Sequence, residues 1–371
     1  MGKVHESGKL ENSATYAKMS LPHTMETIVD ANVWNTALLT LPNAHILQSW
    51  VWGELKESRG WRPLRFLWRV GERITAAAQL LILQHGGLRL GYVPKGPLGD
   101  WTDARVVDEV LAQLAMYARE HGLLLLKIDP DVRADTEQGR AVEARLAQRG
   151  WRASFEQVQF RNTMTLDLRP ELDQLMAQMK PKWRYNIQLA VRKGVTIRDA
   201  TFDDLPLLYA MYAETAARDS FVIRAEPYYL DMWQRFLRAG LSWPFIAEVR
   251  GEPVAMAIAF HFGRCVWYMY GASCSAQRTF MASHLLQWHI IRRAKEAQCT
   301  LYDLWGAPDI LDMADPRWGL YRFKAGFGAT FVPHIGAYDY APNVWLYRLY
   351  TFLRPRAVAL AHRHYWARVR H

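Results

Sequence analysis

One order of sequence elements occurs twice in this chain, and this duplication limits the fold more than any other feature. Apolar runs over residues 64–128 predict three strands, a helix and a further strand, and the same order returns over residues 245–304. The segments 122–129 and 299–303 occupy equivalent places in the two copies. The two halves share few identical residues, so what repeats is the order of the predicted elements and not the residues themselves. A length of 371 residues is also long for one core and favours two domains.

A mixed sheet with this strand order is typical of the N-acetyltransferase (GNAT) fold. We therefore predict an α+β protein with two tandem N-acetyltransferase-like domains, in which mixed sheets are flanked by helices. The predicted divisions are a disordered tail over 1–24, a first domain over 25–168, a second domain over 169–334, and a C-terminal strand with a basic amphipathic helix over 335–371 that packs on the first domain.

Three local predictions refine this division. A strand over Thr163–Leu168 is expected to close the first domain, and one helix is expected to cover Leu172–Lys193. Tyr268 and Tyr270 are two residues apart on a predicted strand, so period two directs both to one face. That face either lines a cleft or packs in the core.

The charge and the cysteine content limit the classes of partner and of compartment. A net charge of +10 indicates an anionic partner, which is nucleic acid, a phosphorylated substrate or an anionic membrane surface. Three cysteines without a CxxC pair predict neither a disulfide framework nor a cysteine zinc site and fit a reducing cytosol. The histidines show no metal-binding spacing, so we expect no metal.

No apolar run reaches the ~18 to 20 residues of a membrane span, and no signal-peptide core is present, so a cytoplasmic protein is expected.

A GNAT fold raises the question of acetyl-CoA, whose pyrophosphate binds a glycine-containing loop before the long helix. In the second copy this loop covers Gln277–Ser283 and contains no glycine. In the first copy it covers Lys95–Asp100, where Pro97 removes a backbone donor. The sequence therefore predicts no CoA and no other cofactor.

The segment Lys180–Gly194 carries a concentrated basic signal. On a helix, one face would be apolar and another would carry a row of cations. No acid interrupts the segment, so the row suits phosphates, and the alternative is an ordinary solvated basic face. Its five cations are Lys180, Lys182, Arg184, Arg192 and Lys193.

A second signal covers Leu301–Gly328, which contains YDLWGAPD and WGLYRFKAGFG. Lys324 stands between aromatic residues and is followed by Gly326 and Gly328. A cation held in this way could stabilise a developing negative charge. The alternative is a helix end with a lysine whose amine reaches solvent.

Together, Lys180–Gly194, Tyr302–Asp309 and Gly319–Gly328 resemble the Fem family of peptidoglycan aminoacyltransferases. The resemblance extends over Gln48–Lys56, Tyr92–Asp100 and the loop and helix of Arg278–Trp288, and it covers nearly the whole chain after Met25. It implies two tandem GNAT-like domains and transfer of an amino acid from aminoacyl-tRNA to the stem peptide of a cell-wall precursor. Too few residues separate Asp199 from Phe245 for the long helical arm of some members, so this chain is similar to the armless type.

The resemblance also implies roles for single residues. Lys324, preceded by Phe323, matches an FK motif whose lysine assists the transferring centre. Lys56 and Arg278 match contacts to the precursor's diphosphate, and Asp100 matches an acid proposed as general base, although a turn Asp also serves as a structural cap. The remaining residues of the predicted acceptor cleft are Tyr92, Lys95, Tyr268 and Tyr302. Lys95 stands where some relatives carry an aromatic residue.

The C-terminal segment from Asn343 to His371 holds six arginines and no acid, interleaved with apolar residues. This pattern predicts a basic amphipathic helix broken at Pro355. It would lie on an anionic membrane surface, pack on the first domain or contribute to tRNA binding.

The predicted function is therefore a monomeric, tRNA-dependent aminoacyltransferase that acts on a UDP-linked or lipid-linked muropeptide. The basic row of Lys180–Lys193 is the predicted tRNA contact. Two alternatives remain open: a CoA-dependent N-acyltransferase on another amine or polysaccharide, and a non-catalytic tRNA- or membrane-binding protein on the same scaffold.

Overall fold

The computed structural model describes residues 24–354 of the chain. The predicted tail is therefore outside the described residues except for Thr24, which begins the first strand, and so is the segment after Arg354. All three cysteines are free. Within residues 24–354, no helix is long and apolar enough to cross a membrane.

The first half begins with a strand and two helices and continues as alternating strands and helices. Its elements are β1 (Thr24–Thr27), α1 (Ala31–Leu39), α2 (Trp50–Glu57), β2 (Trp61–Val70), β3 (Arg73–His85), β4 (Leu88–Val93), β5 (Leu98–Gly99), α3 (Ala104–Glu120), β6 (Leu125–Ile128), α4 (Glu137–Gln148), β7 (Arg152–Ala153) and β8 (Thr163–Asp167).

The second half repeats this plan and ends with a strand and a helix. Its elements are α5 (Leu172–Gln178), α6 (Pro181–Arg192), β9 (Val195–Asp199), α7 (Leu205–Asp219), α8 (Glu226–Arg238), β10 (Ser242–Val249), β11 (Glu252–Phe262), β12 (Cys265–Ser273), α9 (Ala282–Glu296), β13 (Leu301–Asp303), α10 (Trp318–Ala325), β14 (Thr330–Val332), β15 (Tyr338–Tyr340) and α11 (residues 344–354).

Two mixed sheets form, and their topology confirms the predicted fold class. The first sheet has the order β1-β2-β3-β4-β6-β15-β7, with β5 beside β3, and the second has the order β14-β8-β13-β12-β11-β10-β9. Each sheet contains a parallel pair, β4 with β6 and β12 with β13, joined by a long helix. The other strand pairs are antiparallel. The duplication read from the sequence is therefore a duplication of topology.

The prediction that the strand over Thr163–Leu168 closes the first domain was wrong. β8 does not close the first sheet but pairs with β13 and β14 in the second. The equivalent place in the first sheet, between β6 and β7, is taken by β15 from the end of the chain. Each half thus lends a strand to the other sheet, and a local apolar pattern cannot reveal this because pairing depends on partners distant in sequence.

The helix predicted over Leu172–Lys193 is two helices. Pro181 occupies the first turn of α6, where its missing N–H costs nothing, while a continuous helix would require that donor. The chain turns at Lys180, whose amide donates to Gly326 O at 2.9 Å. The short helix α1 was missed altogether; Asp30 caps it by accepting from the amide of Val33 at 2.9 Å.

Apolar side chains form three main layers. One cluster packs α3 and α4 on the outer face of the first sheet, and another packs α5, α6 and α9 on the outer face of the second. The third cluster lies between the sheets and contains α1, α2, α7 and α8 together with residues of both sheets. The two halves therefore share one continuous core, and the candidate site opens beside it.

Candidate functional site

A cavity of about 840 Å³ lies between the two halves. Its walls come from α2, β4 and the segment 154–159 of the first half, from α8 and β12 of the second, and from α11. Both halves and the C-terminal helix therefore contribute to it, which is typical of ligand sites at domain interfaces.

Three cations meet around one tyrosine in this cavity. Lys56 Nζ donates to the hydroxyl of Tyr228 at 3.3 Å and lies 4.4 Å from the Trp52 ring. The Arg224 guanidinium lies 4.7 Å from the Tyr228 ring, and the Arg59 guanidinium lies 5.4 Å from it. Arg59 is neutralised by Asp231 at 3.0 Å. We call Lys56, Arg59 and Arg224 the cation cluster.

The electrostatics of the cation cluster favour an anion. Burial, and then the charges of Arg224 and Arg59, lower the pKa of Lys56 to about 8. The ion pairs within residues 24–354 include none for Lys56 or Arg224. A bound anion would relieve the repulsion among these charges and raise this pKa again.

A second polar group forms the base of the cavity and is internally neutral. Lys127 on β6 pairs with Asp339 on β15 at 2.8 Å. Asp339 also accepts from the hydroxyl of Ser154 at 2.7 Å and from the hydroxyl of Tyr347 at 2.9 Å. Its charge is thus satisfied within the protein, and the group fixes the exchanged strand β15 to its neighbours.

Tyr92 connects the cavity to a buried carboxylate. Its hydroxyl donates to Asp129 Oδ2 at 2.7 Å, and Asp129 also accepts from the amide of Lys95. Burial raises the pKa of Asp129 to about 7, against the opposing charge of Lys95. The pair therefore offers the cavity wall a proton acceptor that ionises near neutral pH.

Lys95 is a buried structural cation and does not line the cavity. Its Nζ donates to Asp131 Oδ1 at 2.9 Å and to Phe160 O at 3.2 Å. His45 and His334 lie 3.7 and 3.6 Å from the same carboxylate. The predicted substrate contact of Lys95 is therefore replaced by an ion pair at the junction of the two halves.

Lys324 also lies at this junction, only 3% exposed and outside the cavity wall. Its Nζ donates to Trp305 O and to Gly306 O, each at 2.6 Å. Burial lowers the pKa of Lys324 to about 7, although Asp303 opposes the shift. The amine thus holds the chain directly after β13, where Trp305 has a left-handed φ of 61° that a bulky residue rarely adopts.

A model of the FemAB family matches residues 39–249 and 244–354. The chain belongs to the FemAB family. Lipid II:glycine glycyltransferases of Staphylococcus epidermidis and Staphylococcus aureus are each 23% identical to it, over 385 and 391 residues; both alignments cover 85% of this chain and 92% of the relative.

Solved structures agree on the fold. FemX superposes on this FemAB protein with a TM-score of 0.79 at 21% identity, covering 87% of this chain and 99% of FemX. A tandem GNAT protein from the clavulanic acid biosynthesis pathway gives a TM-score of 0.53 at 13% identity, with coverages of 87% and 99%.

Of the residues predicted from the sequence of this FemAB protein, Lys56 and Tyr92 lie in the cavity wall. Asp100 is exposed and lines a separate surface cavity, where it accepts from the amide of Thr102 at 2.9 Å as an ordinary turn cap. Arg278 is also exposed, 3.7 Å from Asp219, and lies outside the cavity wall.

Apart from Tyr92, the aromatic residues of the predicted site pack in the core of the second half. Tyr302 is fully buried and donates to Gln287 Oε1 at 2.7 Å, and Phe323 packs against Phe327. Tyr268 packs in the outer core of the second sheet, whereas Tyr270 lines the cavity. A β-bulge between them breaks period two, so the expectation of a shared face was wrong.

The basic row lies on α6, on the outer face of the second sheet. Lys180, Lys182, Arg192 and Lys193 are exposed. Arg184 instead donates to Met179 O at 2.5 Å at the end of α5, and Lys193 donates to Thr279 O at 2.7 Å. Only part of the row is therefore available to a ligand.

Several site residues were missed by the sequence analysis. Arg224 lies in the turn before α8 and Tyr228 in the first turn of α8, where an arginine precedes a Pro-Tyr-Tyr run. Asp129 directly follows the apolar strand β6, and a polar residue in that place is a signal that could have been used. Within residues 24–354, no group of three or more His, Cys, Asp or Glu side chains could hold a metal ion.

Proposed function

We propose that this FemAB protein transfers an amino acid from aminoacyl-tRNA to the stem-peptide amine of a peptidoglycan precursor, as in cross-bridge formation. Relatives that match most of the chain are named lipid II:glycine glycyltransferase. The single observation that carries the proposal is the cation cluster, in which Lys56 and Arg224 face a cavity without a carboxylate partner among the described residues.

A precursor diphosphate fits the cation cluster chemically. UDP-linked and lipid-linked muropeptides both contain a diphosphate, and charge-assisted bonds from lysine and arginine are its usual protein contacts. Tyr228 stands between these cations and would orient the Lys56 amine by their hydrogen bond. The stem peptide would then extend along the cavity towards Tyr92.

The reaction needs little beyond positioning and one proton transfer. The stem-peptide amine attacks the ester carbonyl of the aminoacyl-tRNA, the C–N bond forms, and the ribose hydroxyl leaves as the C–O bond breaks. The amine must also lose a proton. In our proposal, the Tyr92 oxygen takes this proton while its own proton passes to Asp129. The same relay then returns a proton to the ribose oxygen as the C–O bond breaks, so the ribose leaves as a hydroxyl and Asp129 is again a carboxylate. Asp100 has no part because it lies in another cavity.

The partner tRNA is supported by charge alone. The protein carries a net charge of +10, and α6 with the residue before it exposes Lys180, Lys182 and Arg192 in the second half. A phosphate backbone is the ligand that such a row suits.

The test is a transfer assay with purified protein, labelled aminoacyl-tRNAs and either a UDP-linked or a lipid-linked muropeptide. Labelled muropeptide that requires both substrates is the expected product, and the productive pair identifies the amino acid and the acceptor. Product formed from acetyl-CoA without tRNA would overturn the proposal in favour of a CoA-dependent acyltransferase. Binding of charged tRNA without transfer to any muropeptide would overturn it in favour of a binding protein.

A further inference from the structure

The helix α11 has two faces with opposite surroundings. Its inner face packs Tyr347 against Leu125 and Ala341, while Tyr350 and Thr351 line the cavity. Its outer face exposes large apolar side chains, with Trp345 77% and Leu349 53% exposed. Leu346 and Leu353 are exposed on the same side, since positions i, i+1, i+4 and i+8 share one helix face.

A neighbouring segment continues this apolar surface at the edge of the cavity. Phe155 lines the cavity and is 81% exposed, and Val158 follows on the same segment. The segment is joined to α11 by the ion pair between Glu156 and Arg354. Exposed apolar groups therefore lie on two linked segments, each of which also contributes residues to the cavity wall.

The charged residues of α11 are both arginines, Arg348 and Arg354, and Arg354 is paired with Glu156. Arg348 flanks the outer face of α11, with its guanidinium 5.4 Å from the Trp345 ring. The sequence from Asn343 onward contains six arginines and no acid. A helix with tryptophan and leucine on one face, bordered by arginine, is typical of segments that lie in the interface of an anionic membrane.

We propose that the outer face of α11, together with Phe155, docks on an anionic membrane surface. Phe155 belongs to the docked surface and also lines the cavity, so docking would place the cavity that holds the cation cluster beside a diphosphate anchored in that membrane. This orientation rests on the proposed function and selects a lipid-linked acceptor over a soluble one. The docking itself does not depend on any transfer activity.

The first experiment is vesicle co-sedimentation of the full chain. Vesicles of phosphatidylglycerol mixed with phosphatidylcholine are compared with vesicles of phosphatidylcholine alone. The double variant Trp345→Ser/Leu349→Ser should bind the anionic vesicles at least about tenfold more weakly than the unchanged protein, because it loses the apolar anchors. The matched control Ile310→Ser/Met313→Ser removes exposed apolar side chains from the loop after β13 and should bind normally.

Equal binding by the unchanged protein and the Trp345/Leu349 variant would overturn the proposal, as would the absence of binding to anionic vesicles. A dimer in light scattering that this variant converts to a monomer would also overturn it, because a second copy would then cover the face. Circular dichroism melts of both variants establish that they fold.

The second experiment separates docking from function. If transfer is observed, the Trp345/Leu349 variant should lose activity towards a vesicle-embedded acceptor and keep it towards a UDP-linked acceptor. Equal losses on both acceptors would overturn the role of docking in acceptor delivery. If no transfer is observed with either acceptor, the proposed function fails while the vesicle-binding result stands.

Discussion

Lys56 and Arg224 come from opposite halves of the chain and meet at Tyr228. Lys56 could be identified from the sequence because it lies in a stretch that resembles the Fem family. Arg224 could not, because its significance depends on its distance from Lys56, which only the packing of α8 against α2 sets. The sequence instead favoured Arg278, which lies outside the cavity.

Mutation can distinguish a diphosphate site formed by Lys56 and Arg224 from one formed by Lys56 and Arg278. Lys56→Met and Arg224→Met should each raise the KM for the muropeptide by roughly ten- to a hundredfold, the scale of one lost hydrogen bond to a charged group. Arg278→Met should leave this KM within about twofold, since no element brings Arg278 to the cavity. Steady-state kinetics of the three variants measure the effect, and a large change in Arg278→Met alone would refute the geometric assignment.

The Tyr92–Asp129 pair should set the pH dependence of transfer. Because burial raises the pKa of Asp129 to about 7, the carboxylate that accepts the proton forms only above that pH. We expect kcat/KM to rise through pH 7, and Asp129→Asn to lower kcat by roughly 10²- to 10⁴-fold and remove this rise. Tyr92→Phe keeps the ring but removes the hydroxyl that passes the proton to Asp129. It should therefore also lower kcat and remove the rise through pH 7. An unchanged pH profile in both variants would exclude the pair.

Lys324 should act as a positioning residue whose effect also appears in stability. Lys324→Met leaves the carbonyls of Trp305 and Gly306 without their donor, at about 1–3 kcal/mol for each unsatisfied group. A lower midpoint of urea unfolding is expected together with lower activity. Loss of transfer at unchanged stability would instead support a direct catalytic role.

The pH dependence of this stability has a definite sign. Burial lowers the pKa of Lys324 from 10.5 to about 7, so the unfolded chain binds more protons between these two pH values. The contribution of Lys324 to the free energy of unfolding therefore rises with pH in this interval. The difference in unfolding free energy between the unchanged protein and Lys324→Met should grow from pH 7 to pH 9, and a constant difference would contradict the lowered pKa.

At the scale of elements, α6 shows that a basic sequence pattern can predict more cations for ligand binding than the folded helix leaves unbonded. The sequence predicted a row of five cations, but Arg184 caps the end of α5 and Lys193 donates to Thr279 O. Those two side chains stabilise the fold locally, although Lys193 is also exposed. The remainder, which makes no such bond to a carbonyl among the described residues, is Lys180, Lys182 and Arg192.

Binding of charged tRNA should depend on that remainder. The triple variant Lys180→Ala/Lys182→Ala/Arg192→Ala should flatten the plot of log K against log salt by about 2–3 units, because each phosphate contact contributes roughly 0.7–0.9. Arg105→Ala/Arg140→Ala removes exposed arginines from the first half and is the control. An unchanged salt slope in the triple variant would exclude α6 as the tRNA surface.

On the scale of the whole molecule, strand exchange and a shared core join the halves. β8 lies in the second sheet and β15 in the first. The apolar layer between the sheets contains Trp233 and Phe236 of α8 beside Leu67 and Leu81 of the first sheet. A fragment that ends near residue 168 would contain β8 without the second sheet with which it pairs, and it would contain the first sheet without β15.

The chain should therefore unfold as one unit. Ile290→Ala, in the outer core of the second half, and Trp233→Ala, in the shared core, should both lower the temperature of a single calorimetric transition. The expected loss is about 2–5 kcal/mol for Ile290→Ala and about 3–5 kcal/mol for Trp233→Ala. Division of the transition into two in Ile290→Ala would show that the halves fold independently.

The sequence by itself determined the type and order of most elements, the duplication and the resemblance to a family, because periodicity and turn residues act over short distances. It missed α1 and the break between α5 and α6. Tertiary structure alone decided which sheet received β8 and β15, which faces Tyr268 and Tyr270 occupy, and which cations share a cavity. These depend on pairing and packing between residues far apart in the chain. A one-residue bulge or an exchanged strand changes them without any change in the local pattern.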